Sequence, residues 1–376
     1  YCKQCLMPNT KPNLSFTNGV CNSCIYNNDF KSINGKIDWN KREKEFLTLV
    51  SKVKKKKAPM FDVLVPVSGG KDSIFQVHCI KKHKLRILAV NVDYGFKTKI
   101  GISNLKKISE MGVTLITVRP NLEIHKKILS ISFIKYGDPD LMSHCMLHAF
   151  PIRVALNFKI PLVFLGENSA LEYSGSTKKY DSKNINNKWF KKYAASFGIT
   201  PKIFSKRHNL NYKYLKSYDL PSDNELKKVN AVFSSYYFKW SSQKNLKIAQ
   251  SYGFKSLKKP GEGTFRNFVG IDEKINRIHQ YLKYLKFGYG RATDHACEDI
   301  RNNKINRNDA KKLVLKYDRK PISSYYYNDF NKFIGISRNT FFKTLKKFSN
   351  KKLFKIKGNN FIFKFNKFDY ESTKKK

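Results

Sequence analysis

The sequence predicts an α/β protein built on a parallel sheet, and three observations predict it. Between residues 62 and 165, short apolar runs suited to buried strands alternate with stretches of helical periodicity. The first apolar run, 63–67, breaks at Gly69 and Gly70 directly into a helix start. Beyond residue 166 the alternation is lost, and after residue 241 helical stretches dominate.

Taken in order, the elements are a cysteine-bearing segment ending near Tyr26, a polar basic helix over 39–56, and a strand over 62–67. A helix over 72–83, a strand over 86–92, a helix over 98–111 and a strand over 113–118 follow, then helices within 121–158 and a strand over 161–165. Such alternation calls for right-handed crossovers and a sheet covered on both faces. The polar stretch 174–188 and the aromatic segments around Trp189 and 236–240 read as a substrate lid or insertion. A strand near 229–238 is expected to return to the sheet, followed by helices over 242–252, 272–286, 291–302 and 307–317. A helix near 338–348 and two short strands around a turn at Gly358 make a winged-helix-like or hairpin appendage. The division expected is 1–38, 39–240 and 241–376, a zinc-binding knuckle, a nucleotide domain and a helical region for substrate or partner.

The chain of 376 residues carries 74 Lys and Arg against 28 Asp and Glu, a formal charge of +46. A charge of that size raises the question of a nucleic-acid partner. The lysines, however, are spread through every segment and do not gather in one stripe. A solvated basic surface that attracts acidic or phosphorylated small molecules is therefore expected, and nucleic acid is not. No run of about 18 apolar residues exists to span a membrane, and a Cys pair stands where a signal peptide needs an apolar core. A cytoplasmic home is expected.

Cys2, Cys5, Cys21 and Cys24 form C-x2-C-x15-C-x2-C, a spacing that brings four thiolates to the corners of a tetrahedral Zn²⁺ site. The competing reading is a pair of disulfides, which a reducing cytoplasm disfavours. Cys79, Cys145 and Cys297 remain, as buried small residues.

Residues 68–73, SGGKDS, read as a phosphate cradle. Gly69 and Gly70 allow backbone amides to converge on an anion, Ser68 and Ser73 add hydroxyls, Lys71 adds charge, and the helix starting near Asp72 aims its positive end at the same place. The spacing is not that of the Walker loop. Ligands of open parallel sheets sit beyond the carboxyl ends of the strands, which is also where Asn91 and Asp93 stand.

Three further groups carry chemistry. FLGENSALEY ends a strand at Gly166 and presents Glu167, Asn168, Glu172 and Tyr173 at the same sheet edge, where carboxylates can hold Mg²⁺ or accept a proton; helix capping is the alternative. KFGYGRATDHA places Arg291, Asp294 and His295 at a helix start after two glycines, and Arg291 has the planar fork that grips phosphate or carboxylate. GEGTFRNF adds Arg266. His144, Cys145 and His148 share a helix face, with no fourth ligand in view.

The loop SGGKDS resembles the PP-loop of the ATP pyrophosphatases, which split ATP between the α and β phosphates and join AMP to a carbonyl-type oxygen. With YCKQCLMPNTKP before it and GENSALEY and KFGYGRATDHA after it, nearly the whole chain is similar to the N-acetyl sugar amidotransferases of O-antigen synthesis and of pseudaminic or legionaminic acid decoration of flagellin. The resemblance implies a PP-loop (adenine nucleotide alpha hydrolase-like) sheet that binds ATP and Mg²⁺ through Ser68, Gly69, Gly70, Lys71, Asp72 and Ser73, with adenine and ribose near Asn91 and Asp93. It implies conversion of a sugar acetamido group to acetamidino, with Lys71, Asp72, Glu167 and Arg291 catalytic. Asn168, Glu172, Tyr173, Arg266, Asp294 and His295 would meet an acidic or nucleotide-linked N-acetyl sugar. Ammonia would come from a glutaminase and cyclase-like pair. The rival is a tRNA thiolase of the same superfamily, for which Cys145 is the only candidate sulfur carrier beside the loop.

Overall fold

The structure, a computed structural model, describes residues 1–34, 37–166, 183–194, 198–365 and 368. Five strands form one parallel sheet: β3 (Val63–Pro66), β4 (Ile87–Val92), β5 (Thr114–Val118), β6 (Leu162–Leu165) and β7 (Asn230–Phe233), in the order β5-β4-β3-β6-β7. Two antiparallel pairs flank it in sequence, β1 (Phe16–Thr17) with β2 (Val20–Cys21) and β8 (Phe354–Lys357) with β9 (Asn360–Phe363). The helices used below are α1 (Asn22–Asn34), α2 (Trp39–Lys55), α3 (Lys71–Lys81), α4 (Lys99–Glu110), α5 (Leu122–Ile131) and α6 (Leu141–Asn157). After β7 come α7 (Ser242–Ser251), α8 (Ile275–Phe287), α9 (Arg291–Arg301), α10 (Arg307–Asp318), α11 (Ser324–Ile334) and α12 (Arg338–Phe348).

Because side chains alternate along a strand, β3 and its neighbours feed two cores. Val63 and Val65 join Ile87, Leu162 and Phe164 against α2, α3 and α4. Leu64 joins Leu88, Val90 and Val163 against α5 and α6, and that core runs on without a break into α8, α11 and α12. Phe133, for example, stacks on Phe341 at 5.3 Å and meets Phe330 edge-on at 5.2 Å. A third core joins the cysteine segment to the C-terminal helices, through Tyr289, Ala296, Ala310 and Val314. Cores thus cross residues 38 and 240.

The strand expected near 229–238 stops at Phe233, where a helical turn over Ser234–Tyr237 carries Tyr237 and Phe238 back onto Phe46. Packing those rings requires the chain to leave the sheet. The helix α11 lies where no element was expected, and its aromatic residues Tyr327 and Phe330 face the core. The tail has the expected helix and hairpin, with Gly358 at φ +55° in the turn.

Phe330 is 1% exposed and touches the rings of Phe96, Phe133 and Phe341. Phe330→Ala is expected to cost about 4 kcal/mol in urea unfolding. A single transition moving as a whole is the expected form. Loss of the C-terminal helices alone, with the sheet's transition unmoved, would show that the two regions are not one cooperative unit.

Candidate functional site

The sheet has β4 on one side of β3 and β6 on the other, so the winding reverses at β3 and opens a crevice at its carboxyl end. The 68–70 loop fills that position. Gly69 has φ +93°, and a Cβ there would stand 2.7 Å from the Gly101 carbonyl oxygen, so the loop rests on the first turn of α4. Gly70 is different. Its backbone is extended, and a Cβ would meet only Ser68 Oγ at 3.3 Å, which leaves the space above it open.

The Ser68 N–H donates to Ser73 Oγ at 2.9 Å, and the Gly70 N–H donates to Ser68 Oγ at 3.2 Å. Each hydroxyl therefore accepts from the loop and keeps its own proton for an incoming oxygen. The positive end of α3 adds to this preference for an anion. Lys71 is 6% exposed and pairs with Asp72, with the Phe268 ring 5.9 Å from its ammonium. Asp72 accepts from Asn245 of α7 on its other oxygen at 2.9 Å.

Two elements lock the loop from the β4 side. Asn91, 1% exposed, donates to the Val67 carbonyl at 2.8 Å, beneath the loop. Asp93 accepts from the Gly95 N–H and from Arg119, fixing the turn after β4. Lys97, which no motif singled out, donates to both the Ser68 carbonyl and the Glu273 carboxylate at 3.2 Å. Burial, aided by Asp272 and Asp140 and opposed by Lys97, pushes Glu273 up to about 7. Residues 271–274 strap this corner. Thr98 and Lys274 bond across to the carbonyls of Asp272 and Phe96, and a Cβ on Gly101 would lie 2.5 Å from the Asp272 oxygen.

The C-terminal region supplies the far wall. Arg266 is held in a two-armed ion pair, donating to Glu298 at 2.8 Å and Asp299 at 2.7 Å, so its fork positions the 262–268 segment on α9. His295 bonds Thr264 at 3.0 Å. Burial, with Arg291, Arg266, Lys283 and Lys71 around it, drives His295 well below its usual range, so the imidazole is neutral. Asp294 pairs with Lys283 of α8. The glycines of KFGYGRATDHA have an internal reason: Gly288 ends α8 at φ +74°, and a Cβ on Gly290 would stand 2.5 Å from Asp318. Asp318, 2% exposed, accepts from the N–H groups of Gly290, Ala292 and Thr293 and from the Thr293 hydroxyl. The N-terminus of α9 is thus satisfied from within.

Of the residues singled out from sequence, those of 68–73, Arg266, Arg291 and His295 are brought into one electrostatic neighbourhood. Glu167, Asn168, Glu172 and Tyr173 lie outside the described residues. His144, Cys145 and His148 do not converge: His148 bonds the His144 carbonyl and packs on Trp189, and burial holds the Cys145 thiol protonated. Lys97, Phe268, Asn245 and Glu273 had no signal in spacing, since each acts through a partner far away in sequence.

The four cysteines form a separate centre. Cys2 Sγ lies 3.9 Å from Cys24 Sγ, Cys5 Sγ lies 3.8 Å from Cys21 Sγ, and all four sulfurs fall within 4.8 Å of one another. A tetrahedron with zinc–sulfur bonds of about 2.3 Å has edges of about 3.8 Å, so the set fits Zn²⁺. Backbone N–H groups of Cys5, Met7 and Cys21 point at the sulfurs. Arg307 donates to the Cys2 and Cys5 carbonyls, and Arg301 feels the thiols of Cys297, Cys5 and Cys24, so two cations face the cluster.

The architecture is that of the parallel α/β class, with a glycine loop at its switch point and a helical C-terminal region against it. Residues 262–368 match the family model described as LPS biosynthesis protein WbpG-like, C-terminal domain. A search of curated proteins finds no match. Solved structures similar to this chain include the NMN synthetase from Francisella tularensis, at 11% identity and TM-score 0.27, covering 54% of this chain and 93% of that one. A predicted subunit of tRNA methyltransferase from Methanocaldococcus jannaschii is similar at 15% identity and TM-score 0.22, covering 41% of this chain and 91% of that one.

Two outcomes follow from this geometry. Gly70→Ala is expected to keep the melting temperature within about 2 °C and to weaken ATP binding at least tenfold by calorimetry, whereas Gly69→Ala, forced into φ +93° against Gly101, lowers stability by about 2 kcal/mol or more. Equal effects of the two on binding and melting would refute the distinction. Elemental analysis of chelator-free protein should give one zinc per chain, and Cys5→Ser should lower melting by about 5 °C or more while ATP binding persists in the folded fraction.

Proposed function

We propose that the chain is an ATP-dependent amidotransferase of surface polysaccharide or flagellin glycan synthesis, which converts a sugar acetamido group to acetamidino with release of AMP and pyrophosphate. The observation that carries this reading is the meeting of the 68–73 loop with the WbpG-like region, whose Phe268 covers Lys71 and whose His295 lies in its field. The parts 1–38, 39–240 and 241–376 then describe roles: metal-stabilised knuckle, nucleotide site and sugar or partner region.

An amide oxygen is a poor leaving group, so ammonia cannot displace it directly. Transfer of the adenylyl group from ATP to that oxygen makes it a good one. In this reading the amides of the loop, the hydroxyls of Ser68 and Ser73, which accept within the loop, and the buried ammonium of Lys71 would stabilise charge that builds on the departing pyrophosphate. Mg²⁺, held between the phosphates and Asp72 or Glu167, would neutralise part of that charge. Asn91 and Asp93 hold the β4 side where adenine and ribose would lie. Asn168, Glu172, Tyr173, Asp294 and Arg291 are assigned to an acidic or nucleotide-linked N-acetyl sugar, with Arg266 and His295 fixing the wall behind it. Ammonia arrives from a separate glutaminase with a cyclase-like partner, and the setting is the cytoplasm. The buried, protonated Cys145 gives no support to a sulfur relay on tRNA.

The purified chain, given ATP, Mg²⁺, ammonium and N-acetylated acidic sugars, free or nucleotide-linked, should form AMP and a product that has lost one oxygen and gained NH by mass spectrometry. The rate should climb above neutral pH as ammonium becomes NH₃, and glutamine should fail until the partner pair is added. ADP in place of AMP, or sulfur entering tRNA instead, defeats the proposal.

A further inference from the structure

Resting on the amidotransferase reading, we propose that His279 is the proton carrier of the reaction: it takes the N–H proton of the sugar amide as that oxygen is adenylylated and returns it to the same nitrogen when ammonia displaces AMP.

His279 lies in the second turn of α8, with Nδ1 2.9 Å from Asp138 Oδ1 and 3.7 Å from Asp140 Oδ2. Asp138 is fixed in turn. Its Oδ1 accepts from the Asp140 N–H at 3.1 Å, its own N–H donates to the Ser132 carbonyl, and Gly137 before it sets the bend at φ +61°. The two carboxylate side chains are 11% and 10% exposed, but the imidazole is 24% exposed. The acids therefore stand behind the ring, Nδ1 is committed to them, and Nε2 is left as the nitrogen for proton exchange.

The place of this unit fits the role. Asp140 acts on Glu273, which Lys97 joins to the Ser68 carbonyl of the phosphate loop. One helical turn beyond His279 stands Lys283, paired with Asp294 and within the field of Arg291. His279 is thus linked on one side to the 68–73 loop, through Asp140, Glu273 and Lys97, and on the other to Asp294 and Arg291, through Lys283. A mere fastener of α8 to the 137–140 bend would need one carboxylate and a closed surface. Two carboxylates facing one partly open imidazole are more than that requires.

The proton count sets what such a group must do. In the first step the amide and ATP give an O-adenylyl imidate and pyrophosphate: the carbonyl oxygen bonds the α phosphorus, the bond to the β phosphate oxygen breaks, and the amide N–H proton must leave. In the second step NH₃ bonds the imidate carbon, the carbon–oxygen bond to AMP breaks, and the product is an amidinium, with a proton again on the original nitrogen. As the imidazolium returns its proton to the original nitrogen it takes one of the three from the attacking nitrogen, and that proton passes from the imidazole to pyrophosphate, so one neutral ammonia enters and one amidinium, one AMP and one singly protonated pyrophosphate leave, with the imidazole neutral again. The groups facing His279 are Asp138, Asp140, His144 edge-on at 5.6 Å, and Lys283. Burial opposes its protonation, but Asp138 and Asp140 outweigh burial and raise it, which favours holding the proton through the intermediate.

The test uses the full chain with ATP, Mg²⁺ and ammonium, and with UDP-N-acetylglucosamine and N-acetylneuraminic acid as probes. AMP formation by the unaltered chain reads the amidotransferase proposal by itself, and its absence with every N-acetyl sugar overturns that proposal and this one together. With a sugar that turns over, His279→Ala should lower kcat about 100-fold or more with KM for ATP within threefold, and added imidazole should restore about tenfold. Asp138→Asn should shift the acidic limb of the pH–rate profile to lower pH, since losing the anion lowers the pH at which the imidazole protonates. Should His279→Ala fail to fold, His279→Gln keeps the volume and is read for the lost limb. A folded variant within twofold of the parent rate, or a loss with no imidazole rescue and an unmoved limb, overturns the assignment of His279 while leaving the amidotransferase reading standing.

Discussion

The ammonium of Lys97 holds three parts of this molecule at one point. It donates to the Ser68 carbonyl, it pairs with Glu273, and its backbone pairs with Glu273 as an isolated β-bridge, so the 68–70 loop, the β4–α4 connection and the C-terminal region meet there. The pair is almost out of water, with Lys97 at 5% and Glu273 at 15% exposure. A buried pair of this kind contributes little net stability compared with an apolar substitute, but breaking it strands a charge. Its value is geometric: removing either partner would free the loop from the strap at 271–274.

The same logic explains why so basic a chain is built on internal carboxylates. Among the described residues, Asp62, Asp93, Asp138, Asp140, Asp299 and Asp318 are buried, each against a backbone N–H, a histidine or an arginine. The excess lysine is mostly solvated surface, where a charge costs little. Acidic groups are the scarce species here, and the fold places them where a cation or a helix end has to be fixed.

The sheet was legible because periodicity and motif agreed: apolar runs near 62–67, 86–92, 113–118 and 161–165 became β3 to β6 with ends moved by a residue or so. The cysteine spacing gave the tetrahedral set for the same reason, since ligand chemistry is local in sequence. What could not be read was pairing at long range. Arg266 carries a fork that suits a sugar acid, yet Glu298 and Asp299, more than thirty residues away, occupy it. GYG looked like a ligand turn, yet Gly290 is small to admit Asp318. The helix Ser324–Ile334 escaped because SYYYNDF has the aromatic content of a strand, and only packing on Phe96 and Phe133 settles its conformation.

The docking of the cysteine knuckle bears on the order in which the chain is made. Its cover comes from Tyr289, Ala296, Cys297, Ala310, Val314 and Phe368, and Arg307 ties the carbonyls of Cys2, Cys5 and Phe368 together. On the ribosome the thiols emerge nearly three hundred residues before that surface does. Throughout that interval closure on a metal would be the knuckle's own source of order, because the surface that covers it has yet to be made. A chain that loads zinc at these four thiolates would then need the metal early in synthesis, long before the residues that bury the cluster exist.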